Sequence, residues 1–266
     1  MPRLAQRAAL RHGEPMVIGV ETYILLTGVA FTAAVIDAIA GGGGLLVVPV
    51  MLSTGLPPIV VLATNKLQSS FSSGTSCLNF TRRGLIEWRR YWPTVVVILL
   101  LSALGAWVVQ SIKADILNLI VPGLLIAVAA YVLLSPRMHD EDAHQRVSIT
   151  GYAPVAGSIG FYDGFFGPGT GSFFATTLVG LRGMGLTRAT AHTKAFNFAS
   201  NLGSLVVFAF GGHIIYMLGL CMAIGSTAGA WVGSHMAMRF GAKVIRPLLV
   251  TISLALTAKL LWNALN

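Results

Sequence analysis

Apolar runs of bilayer length decide what this chain can fold into. With polar punctuation between them, they cover residues 17–40, 45–54, 57–81, 91–111, 116–134, 149–166, 171–181, 187–209, 213–238 and 247–264. A helix needs about 20 such residues to cross about 30 Å of hydrocarbon, and most of these runs reach that length. Backbone groups in lipid find no water, so continuous helices are the expected element and the expected fold class is an all-α polytopic membrane protein. Charge content agrees. Asp, Glu, Lys and Arg make up 10% of the 266 residues, against about 25% in a soluble domain. So few charges cannot cover a globular surface. That argues against a soluble enzyme, a disordered chain and a nucleic-acid binder, despite a formal charge of +9. The basic excess fits cytoplasmic flanks of membrane helices instead.

The tail 1–16 carries Arg3, Arg7 and Arg11, and the run from Val17 to Ala40 follows it. That run exceeds the ~7–15 residues of a signal-peptide core, so a retained membrane segment is expected. Two runs, 45–54 and 171–181, are only about half a crossing long. Each follows a glycine-rich break, Gly41-Gly42-Gly43-Gly44 and Gly167-Pro168-Gly169-Thr170-Gly171. Ser135 to Ser148 is the one long polar stretch. His139, His144 and three acids there could ligate a metal, but a solvated linker is the better expectation. Cys77 and Cys221 lie in apolar or Ser/Gly-rich runs and are expected as free thiols.

The two sides of that linker repeat one another. Asp37-x3-Gly41 matches Asp163-x3-Gly167 at an offset of 126, and Ala63-Thr64-Asn65-Lys66 matches Ala191-His192-Thr193-Lys194 at 128. Ser102-x2-Gly105-Ala106-Trp107-Val108 matches Ser226-x2-Gly229-Ala230-Trp231-Val232 at 124. The expected organisation is a tail (1–16), a first membrane repeat (17–134), a linker (135–148) and a second membrane repeat (149–264). Internal duplication of this kind is common in transporters. Four crossings per half would make the repeats parallel, with seven basic residues inside and six outside. A glycine-broken hairpin plus three spans per half inverts the second repeat. Inside then lie Arg82, Arg83, Arg89, Arg90, Arg137, Arg146, Arg182, Arg188, Arg239, Lys243 and Arg246; outside lie only Lys113 and Lys259. The inverted arrangement obeys the positive-inside rule and is the expectation, at the cost of placing Arg3, Arg7 and Arg11 outside.

Ionisable groups at membrane depth are expensive and therefore point to function. The repeat supplies two expected pairs, Asp37 with Lys66 and Asp163 with Lys194. On the Lys66 helix, Ser69, Ser70, Ser73 and Cys77 share one face; on the Lys194 helix, Asn197, Asn201 and Ser204 do. Two such stripes suggest helices lining one cavity. A short arm that begins at a glycine break turns free N–H groups and a positive dipole end inward, where an anion can sit. The candidate substrate site is therefore Asn65, Lys66, Ser69, Ser73, Thr193, Lys194, Asn197 and Asn201, with Gly43, Gly44, Gly169, Thr170 and Gly171 at the breaks. Asp37 and Asp163 are the candidate proton carriers. His192, His213 and His235 read as interior residues, His192 being the best candidate relay. The tryptophans read as interfacial anchors or packing. No P-loop, dinucleotide fingerprint, HExxH or GxSxG appears, so neither an enzyme nor a cofactor is expected.

The chain resembles the sulfite exporter TauE/SafE family of membrane transporters. The residues that carry the resemblance are Asp37-x3-Gly-Gly-Gly-Gly-Leu-x2-Val-Pro49, Gly84-x2-Glu-Trp-Arg89 and Gly160-Phe-Tyr-Asp-Gly-Phe-Phe-Gly-Pro-Gly-Thr-Gly171. It spans about residues 17 to 264. Many members have Gly-Thr-Ser where this chain has Thr64-Asn65-Lys66, so it is most similar to a subgroup with Thr-Asn-Lys-Leu-Gln and the Gly-Pro-Gly-Thr-Gly block. The resemblance implies a multi-pass protein of the bacterial inner membrane that moves sulfite, organosulfonates or related anions. With no room for a nucleotide-binding domain, an ion or substrate gradient is the expected energy source. An anion channel is the first alternative and an intramembrane enzyme a weaker one. The implied partners are the bilayer and a small anion, with no nucleic acid; assembly with further copies of the chain is compatible with this pattern.

Overall fold

Glycine sets where the first membrane helix ends. In the computed structural model, which describes residues 18–134 and 141–240, helix α1 (Val20–Ala40) stops at Gly41 and Gly42, with φ of 71° and 136°. Side chains with a Cβ rarely adopt such angles. The short arm α2 (Gly43–Ser53) follows, then α3 (Pro58–Arg82), α4 (Trp88–Gln110) and α5 (Ala114–Leu134). Pro58 starts α3, where its missing N–H costs nothing. The second half repeats the order. Helix α6 (Ile149–Phe165), capped by the Ser148 hydroxyl accepting from the Gly151 N–H at 3.1 Å, ends at the second break. The short arm α7 (Thr170–Arg182), α8 (Leu186–Gly211) and α9 (Tyr216–Phe240) complete the nine helices among the described residues, which contain no strand. The two expected short arms are thus α2 and α7. The tail 1–16, residues 135–140, the apolar run 247–264, Trp262, Lys243, Arg246 and Lys259 lie outside the described residues.

Helices α1, α4, α5 and α9 are long and apolar enough to cross a membrane. Trp92, Trp107 and Trp231 face outward, and Cys77 and Cys221 are free thiols. Helices α3 and α8, of 25 and 26 residues, carry the polar stripes and bury them.

The halves do not pack as separate bodies. Helix α9 of the second half lies along α1 and α3 of the first; α4 of the first lies along α6 and α8 of the second. Glycine makes both seams close. A methyl group on Gly225, Gly229 or Gly233 would strike the backbone of Thr27, Phe31 or Val35, and one on Gly160 or Gly164 would strike that of Ile98 or Ser102. Lipid offers no hydrophobic drive for helices to associate, so such close backbone approach is what holds them. The contact numbers rise together along α1 and α9, which are therefore parallel. Helices α3 and α8 run antiparallel. At one end the Ile215 N–H donates to the Thr64 hydroxyl at 3.1 Å. At the other, the Trp88 indole donates to the Thr81 hydroxyl at 3.0 Å and the Glu87 N–H donates to His192 Nε2 at 3.1 Å.

Residues 141–146 are exposed yet anchored. The Ala143 N–H donates to the Gly183 carbonyl at 2.8 Å, and those of Arg146 and Val147 both donate to the Leu181 carbonyl at 3.1 Å. Asp142 accepts the Gly185 N–H at 2.7 Å and pairs with Arg188, which also pairs with Glu87. The Gly185 N–H, helped by Arg188, holds the Asp142 carboxyl below its usual range. No group of His, Cys, Asp and Glu that could hold a metal occurs among the described residues.

This interlocking generates a prediction. Coexpressed as two chains divided within 135–140, the halves should copurify through a tag on one of them and elute together in detergent. Halves that elute apart would contradict the exchanged packing of α4 and α9.

Candidate functional site

The two breaks cross in the middle of the molecule. A Cβ on Gly41 would lie 2.8 Å from the Gly171 carbonyl carbon, one on Gly171 2.8 Å from the Gly41 Cα, and one on Gly44 3.1 Å from the Pro168 Cα. Only glycine at these places lets the two backbones touch. The Ser172 hydroxyl donates to the Gly41 carbonyl at 3.1 Å and ties the crossing together. Beside it lies a cavity of about 40 Å³. Of the expected site residues, Asp37, Gly43, Gly44, Asn65, Lys66, Ser69, Ser73, Asp163, Gly169, Thr170, Gly171, Asn197 and Asn201 line it. Thr193 and Lys194 do not; both are buried, and the Thr193 hydroxyl has no hydrogen-bond partner among the described residues.

The ion pairs are crossed, which corrects the expectation that each lysine meets the aspartate of its own half. Lys66 Nζ lies 2.7 Å from Asp163 Oδ1, and Lys194 Nζ lies 3.0 Å from Asp37 Oδ2. Each pair bridges the two halves. The same exchange that sends α4 and α9 to the opposite half brings α3 to α6 and α8 to α1.

The pairs differ in what else they bind. Asp37 Oδ1 accepts the N–H groups of Gly42 at 3.0 Å and Gly43 at 3.2 Å. These are the donors expected to be free at the start of α2, so this end already holds a carboxylate. Lys194 also donates to the Asp37 backbone carbonyl, at the negative end of α1. Lys66 instead donates to Asn201 Oδ1 at 3.2 Å, and Asp163 accepts from the Thr170 hydroxyl at 3.1 Å and from Ser200. No side chain caps Gly169 at the start of α7. Asn197, 6% exposed, lines the cavity with its Oδ1 unpartnered among the described residues.

Gln68 and Ser72 line the cavity without having been singled out in the sequence, and Gly42 and Gly167, named there only as parts of the breaks, line it too. Ser69 and Ser72 fall four and seven positions after Asn65, so a stripe counted from Asn65 as well as from Lys66 would have found Ser72. Ser200, one turn from Asn197 on α8, carries no such signal. His192 does not line the cavity. Its Nε2 accepts the Glu87 N–H and its Nδ1 faces the Arg188 carbonyl at 3.0 Å, so a neutral ring joins the two halves.

A membrane cavity built on crossed, glycine-broken helices agrees with what sequence comparison finds. The model of the sulfite exporter TauE/SafE family matches residues 26–260. The chain belongs to that family. It is 47% identical over 233 residues to the "Probable membrane transporter protein ORF9" of Sinorhizobium sp, covering 87% of this chain and 89% of the relative. It is 42% identical over 249 residues to a "Probable membrane transporter protein" of Haemophilus influenzae, covering 93% and 98%. Identity is 41% over 251 residues to the "Probable membrane transporter protein YfcA" of Escherichia coli, covering 94% and 91%. No solved structure matches. The protein is thus a multi-pass bacterial membrane protein whose general function is transport.

The crossing gives a direct test. Gly171→Ala should lower the melting temperature of the detergent-purified protein by several degrees, because the added methyl meets Gly41 backbone that cannot yield. Gly180→Ala, on the same helix with open space around it, should leave melting unchanged or slightly higher. Equal melting of the two variants would mean the breaks do not depend on contact with each other.

Proposed function

We propose that the protein is a secondary transporter of a small anion, such as sulfite, an organosulfonate or a related sulfur-containing or organic anion, across the bacterial inner membrane, coupled to a proton. The observation that carries this reading is the central cavity where Lys66, amide side chains and the start of α7 converge. Irregular backbone at membrane depth is tolerated where it lines such a cavity or is buried in protein. About 40 Å³ is space for roughly three waters, at about 10–15 Å³ each, which suits a compact ion. The family description and the relatives' names support carriage across a membrane rather than catalysis.

Charge bookkeeping supports the proton. Asp37 and Asp163 balance Lys66 and Lys194, so the empty site is neutral. A bound anion adds one negative charge in a medium that disfavours it. Protonating one aspartate restores neutrality, so anion and proton travel together. Asp163 is the better carrier, since it holds the lysine that lines the cavity. The halves are read as inverted repeats, which the antiparallel course of α3 and α8 and the distribution of basic residues favour.

In proteoliposomes, labelled sulfite should show counterflow, meaning faster uptake when unlabelled anion is trapped inside. Asp163→Asn, which mimics the protonated form, should keep exchange but lose accumulation driven by a pH gradient. Flux without stimulation by trapped anion would make the protein a channel. Accumulation by Asp163→Asn in response to a pH step would place the proton elsewhere.

Orientation is tested by labelling with an impermeant maleimide, in a background lacking Cys77 and Cys221. Arg83 follows the end of α3 and Gly212 the end of α8, so with these helices antiparallel the two exposed positions lie at opposite ends of the pair, and each is replaced by Cys in turn. The inverted arrangement predicts labelling of residue 212 on intact cells and of residue 83 only after permeabilisation. Identical behaviour of the two would restore parallel repeats.

A further inference from the structure

Sequence symmetry presents two lysines, two carboxylates and two helix N-termini as equivalent, but their surroundings are not. At the first break, the chain supplies its own anion. The Asp37 carboxylate accepts both Gly42 and Gly43 N–H groups, while Lys194, 0% exposed, spans from that carboxylate to the Asp37 backbone carbonyl. One ion pair therefore engages the positive end of α2 and adds a second donor to the Asp37 carbonyl in the last turn of α1, which also accepts the Gly41 N–H at 2.8 Å. At the second break the carboxylate is drawn away. Asp163 is held by Lys66, Thr170 and Ser200 and accepts no backbone N–H of α7. The 13-residue α7 begins with no side-chain cap, and beside its first turn stands Asn197. That amide is nine-tenths buried, faces the cavity, and leaves its Oδ1 without a partner among the described residues. Its Nδ2 lies 3.2 Å from where a Cβ on Gly171 would be.

We propose that the transporter has one anion site rather than two, at the start of α7 between Lys66, Asn197 and Gly171, and that the Lys194–Asp37 pair is a fixed strut across the first break. This rests on the anion-transport reading above. Lys66 is the cation that meets the substrate, because it alone of the two lysines lines the cavity. Lys194 acts through Asp37 by positioning the broken α1–α2 segment and meets no substrate. When Asp163 takes a proton, Lys66 is released from its carboxylate and the anion replaces it, with the Asn197 amide turned to donate.

Charge-neutral double variants of the full chain separate the two roles. In Asp37→Leu/Lys194→Met, the N–H groups of Gly42 and Gly43 lose their acceptor. In Lys66→Met/Asp163→Leu, Thr170 and Ser200 keep their bonds to the Gly167 and Asn197 carbonyls. The first variant should therefore melt several degrees lower than the second, a comparison that needs no ligand. Binding of labelled sulfite to detergent-purified protein should fall at least tenfold further in the second variant than in the first, whose Asp37 substitution alters one wall of the cavity but leaves Lys66 and Asn197 in place. Equal melting, or a larger fall for the Lys66 pair, would overturn the strut. Equal loss of sulfite binding in both variants, or loss only in the Lys194 pair, would overturn the single site. Failure of the unsubstituted protein to bind or exchange sulfite and related anions would count against the transport reading alone, and melting would still decide the strut.

Discussion

An ion pair between Lys194 and Asp37 closes a gap that the bilayer would otherwise make intolerable. Where α1 breaks, helix-end N–H and carbonyl groups lose their intrahelical partners at membrane depth, and each such group left unpaired costs several kcal/mol on an order-of-magnitude scale. The carboxylate accepts the first N–H groups of α2, and the ammonium joins the Gly41 N–H on the Asp37 carbonyl. Once the break is stable, the short arms can turn back, their glycines can touch, and a polar cavity can exist between them. The buried charges on α3 and α8 are tolerable for the same reason, since each finds its partner on a helix of the other half.

The crossing of the halves gives this arrangement its rigidity. Two seams of glycine against backbone, α1 with α9 and α4 with α6, flank the centre and bring the α3 and α8 stripes together. At one end the joint is ionic, built from Glu87, Asp142 and Arg188. Burial alone would raise the Glu87 carboxyl, but hydrogen bonding to Arg188 and its charge outweigh that and hold it below the usual range. At the other end the Ile215 N–H donates to the Thr64 hydroxyl. The two ends of the α3–α8 pair are thus joined by different chemistry.

Much of this was legible in the sequence, because it rests on local pattern. Run lengths give the spans, glycine runs give the breaks, and helical spacing puts Lys66, Ser69 and Ser73 on one face. The partners of the charges were not legible. Offsets of 126 and 128 fit pairing within a half as well as across halves, and only the packing of α4 and α9 into the opposite half decides between them. The self-capping of α2 by Asp37 was also hidden, because the matching Asp163 has the same sequence context and does something else. What separates them is the Thr170 hydroxyl, where the first break has a glycine, and Ser200 on α8. Asp142 was unreadable as an anchor, since a lone acid in a charged loop carries no periodic signal.

The exchanged seams also set an order of events at the ribosome. Helix α1 packs against α9, whose first residue, Tyr216, lies 196 positions after Val20. At roughly 5–20 residues per second, α1 waits about 10–40 s for the surface that covers its glycine-matched face. During that interval the Asp37 carboxylate has no Lys194, which lies 157 residues downstream. The first half therefore enters the membrane with its Asp37 carboxylate held by the Gly42 and Gly43 N–H groups but without its lysine. A substitution in α9 is therefore felt by α1 during biogenesis as well as in the finished fold, where their backbones touch.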